Sequence, residues 1–268
     1  MKKKKILVTG DDGIFAKGLW ALVDGLKSSF DVVVVAPDRK QNAVGISATV
    51  DRPFRAKKLN IMSTDIETWA VEGTPLDSVF LGINKLFKDE VFLVVSGVNE
   101  GPNQNGDIYN SGTVAAALIA SMAGLPALAI SQDIGNIQLD TAAKLTTLLA
   151  KHIENKTWPS NVCLNINVPN LPPAEIKGIK VTRFVSSGIY IDGVVEDSGH
   201  SDKDHIVDSG FYWLTRKRVI KVTDRRTDIW AVQHGYISIS SLHNLLNKPA
   251  PHISNELCSN LFTQFRER

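Results

Sequence analysis

The chain has 268 residues, of which 43% are hydrophobic and 22% are charged, and its formal net charge is +2. This composition is typical of a soluble globular protein, and the length suffices for one large domain or for one domain with a smaller appendage. The small net charge gives no general attraction for nucleic acid. No stretch approaches the roughly 18–20 apolar residues of a membrane span, and no apolar secretory segment follows the N-terminal lysines. Cys163 and Cys258 match no zinc or redox spacing, so we expect a reduced, cytoplasmic protein.

Strand-like and helix-like patterns alternate through the first half of the chain. Short β-branched runs predict strands at Lys5–Thr9, Asp31–Ala36, Phe92–Gly97, Ala127–Ser131 and Val162–Val168. Helical periodicity predicts helices at about 18–26, 75–86, 113–123 and 140–154, with Thr74 as the N-cap of the second. The alternation predicts an α/β, Rossmann-like fold with a mostly parallel sheet and helices on both faces.

The character of the sequence changes after Pro169. Residues 178–222 contain the strand-like segments KVTRF and FYWLTRKRVIKV around a stretch rich in Gly, Ser and Asp, which predicts hairpins extending from the main body. A short helix at Thr227–Gln233, a strand at Gly235–Leu242 and a final helix follow. We therefore divide the chain into a core at 1–177 and a region at 178–268 that combines a β-hairpin extension, a returning strand and a C-terminal helix. Such extensions commonly build an oligomer contact.

Polar residues gather where the predicted strands end. The first strand ends at GDDG (10–13), the second at APDRKQNAVG (36–45), and the third at SGVNEGPN (96–103), which leads to NSGT (110–113) before a helix. Because ligands bind at the carboxyl ends of strands in open α/β sheets, we expect these loops to share one edge. Carboxylate and amide oxygens suit Mg²⁺ or Mn²⁺, and the NSGT segment at a helix start suits phosphate oxygens.

The pair Asp11 and Asp12 has two interpretations. Asp12 is a helix N-cap with Asp11 a solvated neighbour, or both acids hold a cation that attracts a phosphate ester. Convergence of three loops favours the second. A dinucleotide fold is a weaker alternative because the turn lacks G-x-G-x-x-G. A phosphorylation-receiver domain would require a further aspartate on a central strand, where this chain has Ser-Gly-Val-Asn.

Several segments together resemble the survival protein SurE family of nucleotidases. They are ILVTGDDGIFAKGL, VVVAPDRKQNAVGIS, VEGTPLDSVFLGI, LVVSGVNEGPNQNGDIYNSGTVAAALIASMAGLPALAIS, LNINVPNLP and TDIWAVQHGYISISSL, and they span residues 6 to about 242 in the family's order. The resemblance implies a metal-dependent phosphatase that hydrolyses nucleoside 5′- and 3′-monophosphates. It also implies one divalent cation, Mg²⁺ or Mn²⁺, and a cytoplasmic homodimer or homotetramer. Because the sequence has no basic stripe with interleaved aromatics and no apolar run of membrane length, we expect neither duplex nucleic acid nor a membrane as a partner.

Position by position, the resemblance places the metal ligands at Asp11, Asp12, Asn42 and Asn99. It places the phosphate contacts near Ser111, Gly112 and Thr113, and we expect Asp11 and Asp12 to be the catalytic residues. The chain departs from the family pattern in four places: Gly10 replaces an asparagine, Phe15 a histidine, Lys17 a proline, and Asn42-Ala43 stand where a serine is usual.

Other functions and residues stay open at this point. The chain is alternatively a weakly active or non-catalytic member that binds metal or nucleotide, or a phosphatase for short polyphosphate or a sugar phosphate. Direct attack by Asp11 is an alternative to attack by water. Arg39 either meets substrate phosphate or pairs with Asp38, Asn103 either supports Asn99 or serves the turn, and His234 is a less favoured candidate for a general acid.

Overall fold

A nine-stranded sheet forms the centre of the molecule in the computed structural model, which describes residues 3–61, 65–133, 139–184, 191–196, 211–216, 222–246 and 251–267. The strand order is β3-β4-β2-β1-β5-β6-β7-β11-β8. The strands are β1 (Lys5–Thr9), β2 (Asp31–Pro37), β3 (Ala56–Leu59), β4 (Glu67–Val71), β5 (Val91–Glu100), β6 (Ala127–Gln132), β7 (Cys163–Val168), β8 (Gly178–Val181) and β11 (Tyr236–Ser241). Only the pairs β3–β4 and β7–β11 are antiparallel among the pairs of this sheet. The predicted α/β fold is confirmed.

Helices cover both faces of the sheet. They are α1 (Lys17–Leu26), α2 (Pro75–Leu81), α3 (Asp107–Asn110), α4 (Gly112–Met122), α5 (Leu139–Glu154), α6 (Asp228–Gln233) and α7 (Asn255–Arg266), with 3₁₀ turns at Pro173–Glu175 and His243–Leu246. One apolar core lies beneath α1, α5 and α7, and a second lies beneath α2 and α4. Since both faces are covered, the central strands are almost continuously apolar, as the four valines of β2 illustrate. No helix within the described ranges has both the length and the apolar character to cross a membrane.

Several elements differ from the sequence prediction. The helix predicted over 75–86 ends at Leu81 and continues as a π-helical turn at Gly82–Leu86, closed by the bond from Phe87 N to Gly82 O (2.9 Å). Strands β3 and β4 were also not predicted. In the case of β3 (AKKL), the reason is that the strand is polar and lies at the sheet edge. Gly178–Val181, predicted to form part of a hairpin, pairs instead with β11 in the central sheet.

The predicted hairpin is present further along the chain. Strands β9 (Ile191–Glu196) and β10 (Tyr212–Arg216) pair antiparallel as a separate two-stranded sheet. The rest of the segment predicted as hairpins lies partly outside the described residues, at 185–190, 197–210 and 217–221. Several large apolar side chains of this hairpin are exposed, namely Val194, Val195, Tyr212, Trp213 and Leu214.

Candidate active site at the carboxyl edge of the sheet

Three loops and one helix start meet at the carboxyl ends of β1, β2 and β5. Asp11 and Asp12 follow β1 after a single glycine, and Asn99 lies at the end of β5. The loop after β2 reaches back to β1, because the N–H of Gln41 donates to the carbonyl of Asp11 (2.7 Å). The sequence prediction that these loops share one edge agrees with this geometry.

Asp11 is packed against the first turn of α4. Its side chain accepts a hydrogen bond from the hydroxyl of Thr113, and the residue is only 4% exposed. A Cβ atom at Gly112 would lie 2.7 Å from the Cβ of Asp11 and 2.9 Å from Cγ of Pro75, so only glycine fits there. The carboxylate and the N-terminus of α4 therefore form one compact unit.

Asp12 joins the end of β5 to the loop after β2. One carboxylate oxygen accepts from the N–H of Glu100 (3.1 Å), and the other lies 3.2 Å from Nζ of Lys40. The side chain of Asp12 is 8% exposed, whereas that of Lys40 is 61% exposed. An exposed cation thus lies beside a carboxylate that is largely withdrawn from water.

The electrostatics reflect two acids in close proximity. Burial raises the pKa of the Asp11 carboxyl, the hydrogen bond from Thr113 opposes that rise, and the charge of Asp12 adds to it. The hydrogen bond and the charge of Asp12 raise the pKa of the Lys40 ammonium group. The Asp11 shift thus arises mainly from burial, whereas the Lys40 shift shows that Asp12 stabilises a cation at this edge.

A glycine turn places the acids next to the second loop. Gly13 adopts φ of 91°, a conformation that side chains disfavour, and a Cβ there would lie 2.9 Å from the carbonyl carbon of Arg39. The N–H of Ile14 donates to the carbonyl of Pro37 (2.8 Å), which ties the turn to the end of β2. The backbone that follows Asp11 and Asp12 is therefore held against the end of β2, the strand that neighbours β1.

The other predicted site residues lie around this unit. Asn99 is half-buried, and its Nδ2 donates to the carbonyl of Gly101 (2.7 Å), so its amide oxygen is the atom suited to a cation. Asn42 is exposed on the loop after β2, one residue beyond Gln41. Ser111 is the N-cap of α4, and its hydroxyl accepts from the N–H of Val114 (3.1 Å). The structure thus joins Asp11 to Thr113 and Gly112 directly, and it places Asn42 and Asn99 on the neighbouring loops.

The donor set fits a hard divalent cation. Within the described residues no three His, Cys, Asp or Glu side chains cluster as a metal site, so any set built on Asp11 and Asp12 is completed by neutral oxygens such as those of amides or water. Two adjacent carboxylates largely withdrawn from water, one of them paired with an ammonium, are chemically suited to Mg²⁺ or Mn²⁺.

The structure also places the three additional candidate residues, Arg39, His234 and Asn103. Arg39 is 3.8 Å from Asp38 and faces solvent, so the cation next to the acids is Lys40, which the sequence analysis did not single out. His234 lies at the end of α6, with its ring stacked on Trp230 at 4.0 Å. Asn103 is buried, and its Nδ2 donates to the hydroxyl of Ser131 (2.7 Å).

Two of the departures from the family pattern border the acids. A Cβ at Gly10 would have its nearest neighbours at 3.4–3.7 Å, all in the backbone of Gly97, which is ordinary contact distance. Phe15 is 72% exposed. Neither departure disturbs the packing of Asp11, so the local fold tolerates both.

Known proteins that are similar to this chain are named as SurE proteins and nucleotidases. The family model described as "Survival protein SurE" matches residues 6–189. The chain is 42% identical over 245 residues to "5'-nucleotidase SurE" of Dehalococcoides mccartyi (strain CBDB1), covering 90% of this chain and 89% of that protein. It is 40% identical to "5'/3'-nucleotidase SurE" of Proteus mirabilis (strain HI4320), covering 89% of each. The crystal structure of the Sure protein from Aquifex aeolicus superposes with a TM-score of 0.73 at 36% identity, covering 94% of this chain and 95% of that one. The chain belongs to the survival protein SurE family.

Proposed function

We propose that the protein is a metal-dependent phosphomonoester hydrolase that removes phosphate from nucleoside 5′-monophosphates, and also from 3′-monophosphates. The observation that carries this proposal is the packing of Asp11 against Gly112 and Thr113, which puts a carboxylate pair beside a helix N-terminus. The names of the relatives from D. mccartyi and P. mirabilis support the choice of nucleotide substrates.

We propose Asp11, Asp12, Asn42 and Asn99 as the residues that hold one divalent cation, Mg²⁺ or Mn²⁺. When bound, such a cation supplies Lewis-acid stabilisation of the charge that develops on the phosphoryl group. The acids contribute negative charge, and the two asparagines contribute neutral amide oxygens.

The phosphoryl group meets the first turn of α4. The hydroxyl of Ser111 already accepts from the N–H of Val114, and Thr113 donates to Asp11, so among the described contacts the N–H of Gly112 remains for a phosphoryl oxygen. Thr113 then acts through Asp11, which it holds in place. The exposed ammonium of Lys40 lies 3.2 Å from Asp12 and attracts the incoming dianion.

Water is the nucleophile that this geometry favours. Asp11 is buried, bonded to Thr113 and packed against Gly112, which hinders an in-line approach of its carboxylate to phosphorus. Water attacks phosphorus, one of the two carboxylates orients it, and the nucleoside alkoxide leaves with a proton taken from solvent. The products are inorganic phosphate and the nucleoside.

The test is release of inorganic phosphate from a panel of substrates. The panel contains nucleoside 5′- and 3′-monophosphates, ribose 5-phosphate and short polyphosphate, each with Mn²⁺, Mg²⁺ or EDTA. We expect metal-dependent release from nucleotides, and a loss of about 100-fold or more in Asp11→Asn. Asp24→Asn, an exposed acid on α1 paired with Lys27, is the matched control and should retain full activity. If the protein binds Mn²⁺ but releases inorganic phosphate from no substrate, the hydrolase proposal is refuted and a metal- or nucleotide-binding role takes its place.

We further propose that the protein works in the cytoplasm as a homodimer or homotetramer assembled through the β9–β10 hairpin. The exposed apolar side chains of this hairpin, Tyr212, Trp213 and Leu214 among them, are suited to burial against a second copy. Light scattering after gel filtration should give a multiple of the chain mass, and Trp213→Asp should reduce it. An unchanged mass in the variant would place the interface elsewhere.

A further inference from the structure

A buried carboxylate lies at the start of α6, away from the predicted metal ligands. Asp228 is fully buried, and its Oδ2 accepts a hydrogen bond from the N–H of Asn105 (3.1 Å). Its Oδ1 accepts from the N–H of Ile229 (2.8 Å), and its carbonyl accepts from Nε2 of Gln104 (3.2 Å). One acid of the C-terminal region is thus bonded to two consecutive residues of the loop that follows β5.

Helix capping does not account for this acid. The N-cap of α6 is Thr227, whose hydroxyl accepts from the N–H of Trp230 and donates to the carbonyl of Asp224 (2.8 Å). A buried carboxylate is costly unless hydrogen bonds compensate for its lost hydration. Since α6 already has its cap, the bond to Asn105 is the contact that distinguishes Asp228 from an ordinary first-turn acid.

The loop that Asp228 holds is also fixed to the sheet. Asn103 donates through its N–H to Oδ1 of Asn167 (2.8 Å), and its carbonyl accepts from Nδ2 of Asn165 (2.7 Å) and of Asn167 (3.0 Å). These side chains belong to β7. Asn103 is therefore bonded to β7 of the sheet, and the next two residues, Gln104 and Asn105, are bonded to Asp228 of α6.

This loop connects both parts of the active site. It begins at Gly101, two residues after Asn99 of β5, and its far end leads into α3, where the N–H of Asp107 donates to the carbonyl of Gln104 (3.1 Å). The N–H of Ser111 in turn donates to the carbonyl of Asp107 (3.0 Å), and Gly112 follows. A short chain of backbone hydrogen bonds thus runs from the residues held by Asp228 to the start of α4.

We propose that Asp228 is a positioning residue for the phosphate-binding end of the active site, acting through Asn105 and α3 on Ser111 and Gly112. This inference rests on the proposed phosphatase function for its kinetic consequence. Its structural part, the hold of Asp228 on residues 103–112, is independent of any substrate. The carboxylate itself touches neither phosphate nor metal.

Three variants test the proposal. Asp228→Ala removes both carboxylate acceptors, Asp228→Asn keeps an oxygen that can accept from Asn105, and Thr227→Ala weakens α6 without touching the loop. The first readout is hydrogen exchange, followed by mass spectrometry, over peptides covering 101–113. We expect exchange there to accelerate about tenfold or more in Asp228→Ala, to stay within about threefold in Asp228→Asn, and to be unchanged in Thr227→Ala.

The second readout is binding of inorganic phosphate to the Mn²⁺-loaded protein by calorimetry, together with KM and kcat for a nucleoside monophosphate. Loss of the loop contact should weaken phosphate binding and raise KM about tenfold in Asp228→Ala, while Asp228→Asn restores both. If Asp228→Ala does not fold, Gln104→Leu, which removes only the bond to the carbonyl of Asp228, should accelerate exchange in the same peptides.

Equal effects of Thr227→Ala and Asp228→Ala would overturn the proposal, because they would reduce Asp228 to a stabiliser of α6. Unchanged exchange over 101–113 in Asp228→Ala would overturn it as well. A wild-type protein that releases no phosphate from any substrate refutes the proposed function instead, and the exchange and phosphate-binding measurements still decide the role of Asp228.

Discussion

Replacing Gly112 by alanine perturbs the candidate site with a single methyl group. The new Cβ would lie 2.7 Å from the Cβ of Asp11 and 3.0 Å from its Oδ2. Since carbon atoms make favourable contact at about 3.5 Å, Asp11 or the start of α4 has to move by about 0.8 Å. Overpacking of this kind costs about 1–3 kcal/mol, and the helix preference of alanine over glycine offsets up to about 1 kcal/mol. We therefore expect a folded protein with a displaced carboxylate.

A displacement approaching 1 Å in a positioned catalytic group lowers rates by about 100-fold. Phosphate release in the presence of Mn²⁺ should fall by that factor in Gly112→Ala, while the free energy of unfolding should fall by at most about 3 kcal/mol. Gly10→Ala is the matched control, because the atoms nearest to its Cβ would be backbone atoms of Gly97 at 3.4 Å or more, and its activity should stay within about threefold of wild type. Full activity in Gly112→Ala would refute the view that Asp11 is held against α4 in the working enzyme.

The other predictions concern charge and packing. The ammonium of Lys40 lies 3.2 Å from Asp12 and competes with a metal ion for this carboxylate. In Lys40→Met, calorimetry should therefore show Mn²⁺ binding about 1.4- to 5-fold more tightly, and weaker binding would contradict this competition. Burial raises the pKa of Asp228 from 3.8 to about 6, so the folded state favours its protonated form and loses stability as the pH rises through this range. In urea unfolding, the free energy of unfolding of Asp228→Asn minus that of wild type should increase by about 2.5 kcal/mol between pH 4 and pH 8. A difference that stays constant over this range would mean that the pKa of the Asp228 carboxyl is not shifted. Phe265→Ala empties a fully buried position on α7 and should lower the free energy of unfolding by about 3–5 kcal/mol, whereas a loss below about 1 kcal/mol would show that α7 is not docked.

The edge that carries the site was predictable because it follows from topology. Parallel strands place their carboxyl ends together, so polar loops after β1, β2 and β5 had to converge once the alternation of strands and helices was recognised. The N-cap at Thr74 was likewise predictable, and the structure shows the full capping box with Asp77. Asp77 is buried and also accepts from the hydroxyl of Thr49 (2.7 Å), a contact between distant residues that the capping pattern does not predict.

The remainder depends on contacts that sequence spacing does not encode. Lys40 meets Asp12 across two loops, and Asp228 meets Asn105 across 123 positions of the chain. Neither pair leaves a periodic signal, because each depends on how loops of variable shape fold back on the sheet. Strand β3 was missed for another reason: an exposed edge strand lacks the apolar alternation on which strand prediction relies.

Two carboxylates at a helix N-terminus become understandable once the charges around them are considered together. The start of α4 favours an anion, and Asp11 occupies part of that favourable field through its contact with Thr113. With Asp12 beside it, the edge repels a phosphate dianion, although Lys40 offsets part of the charge. A divalent cation among these oxygens would reverse the balance, so that the helix terminus and Lys40 attract the phosphate together. In the proposed function, the acids would thereby make phosphate binding conditional on metal, a dependence that a helix N-terminus alone does not provide.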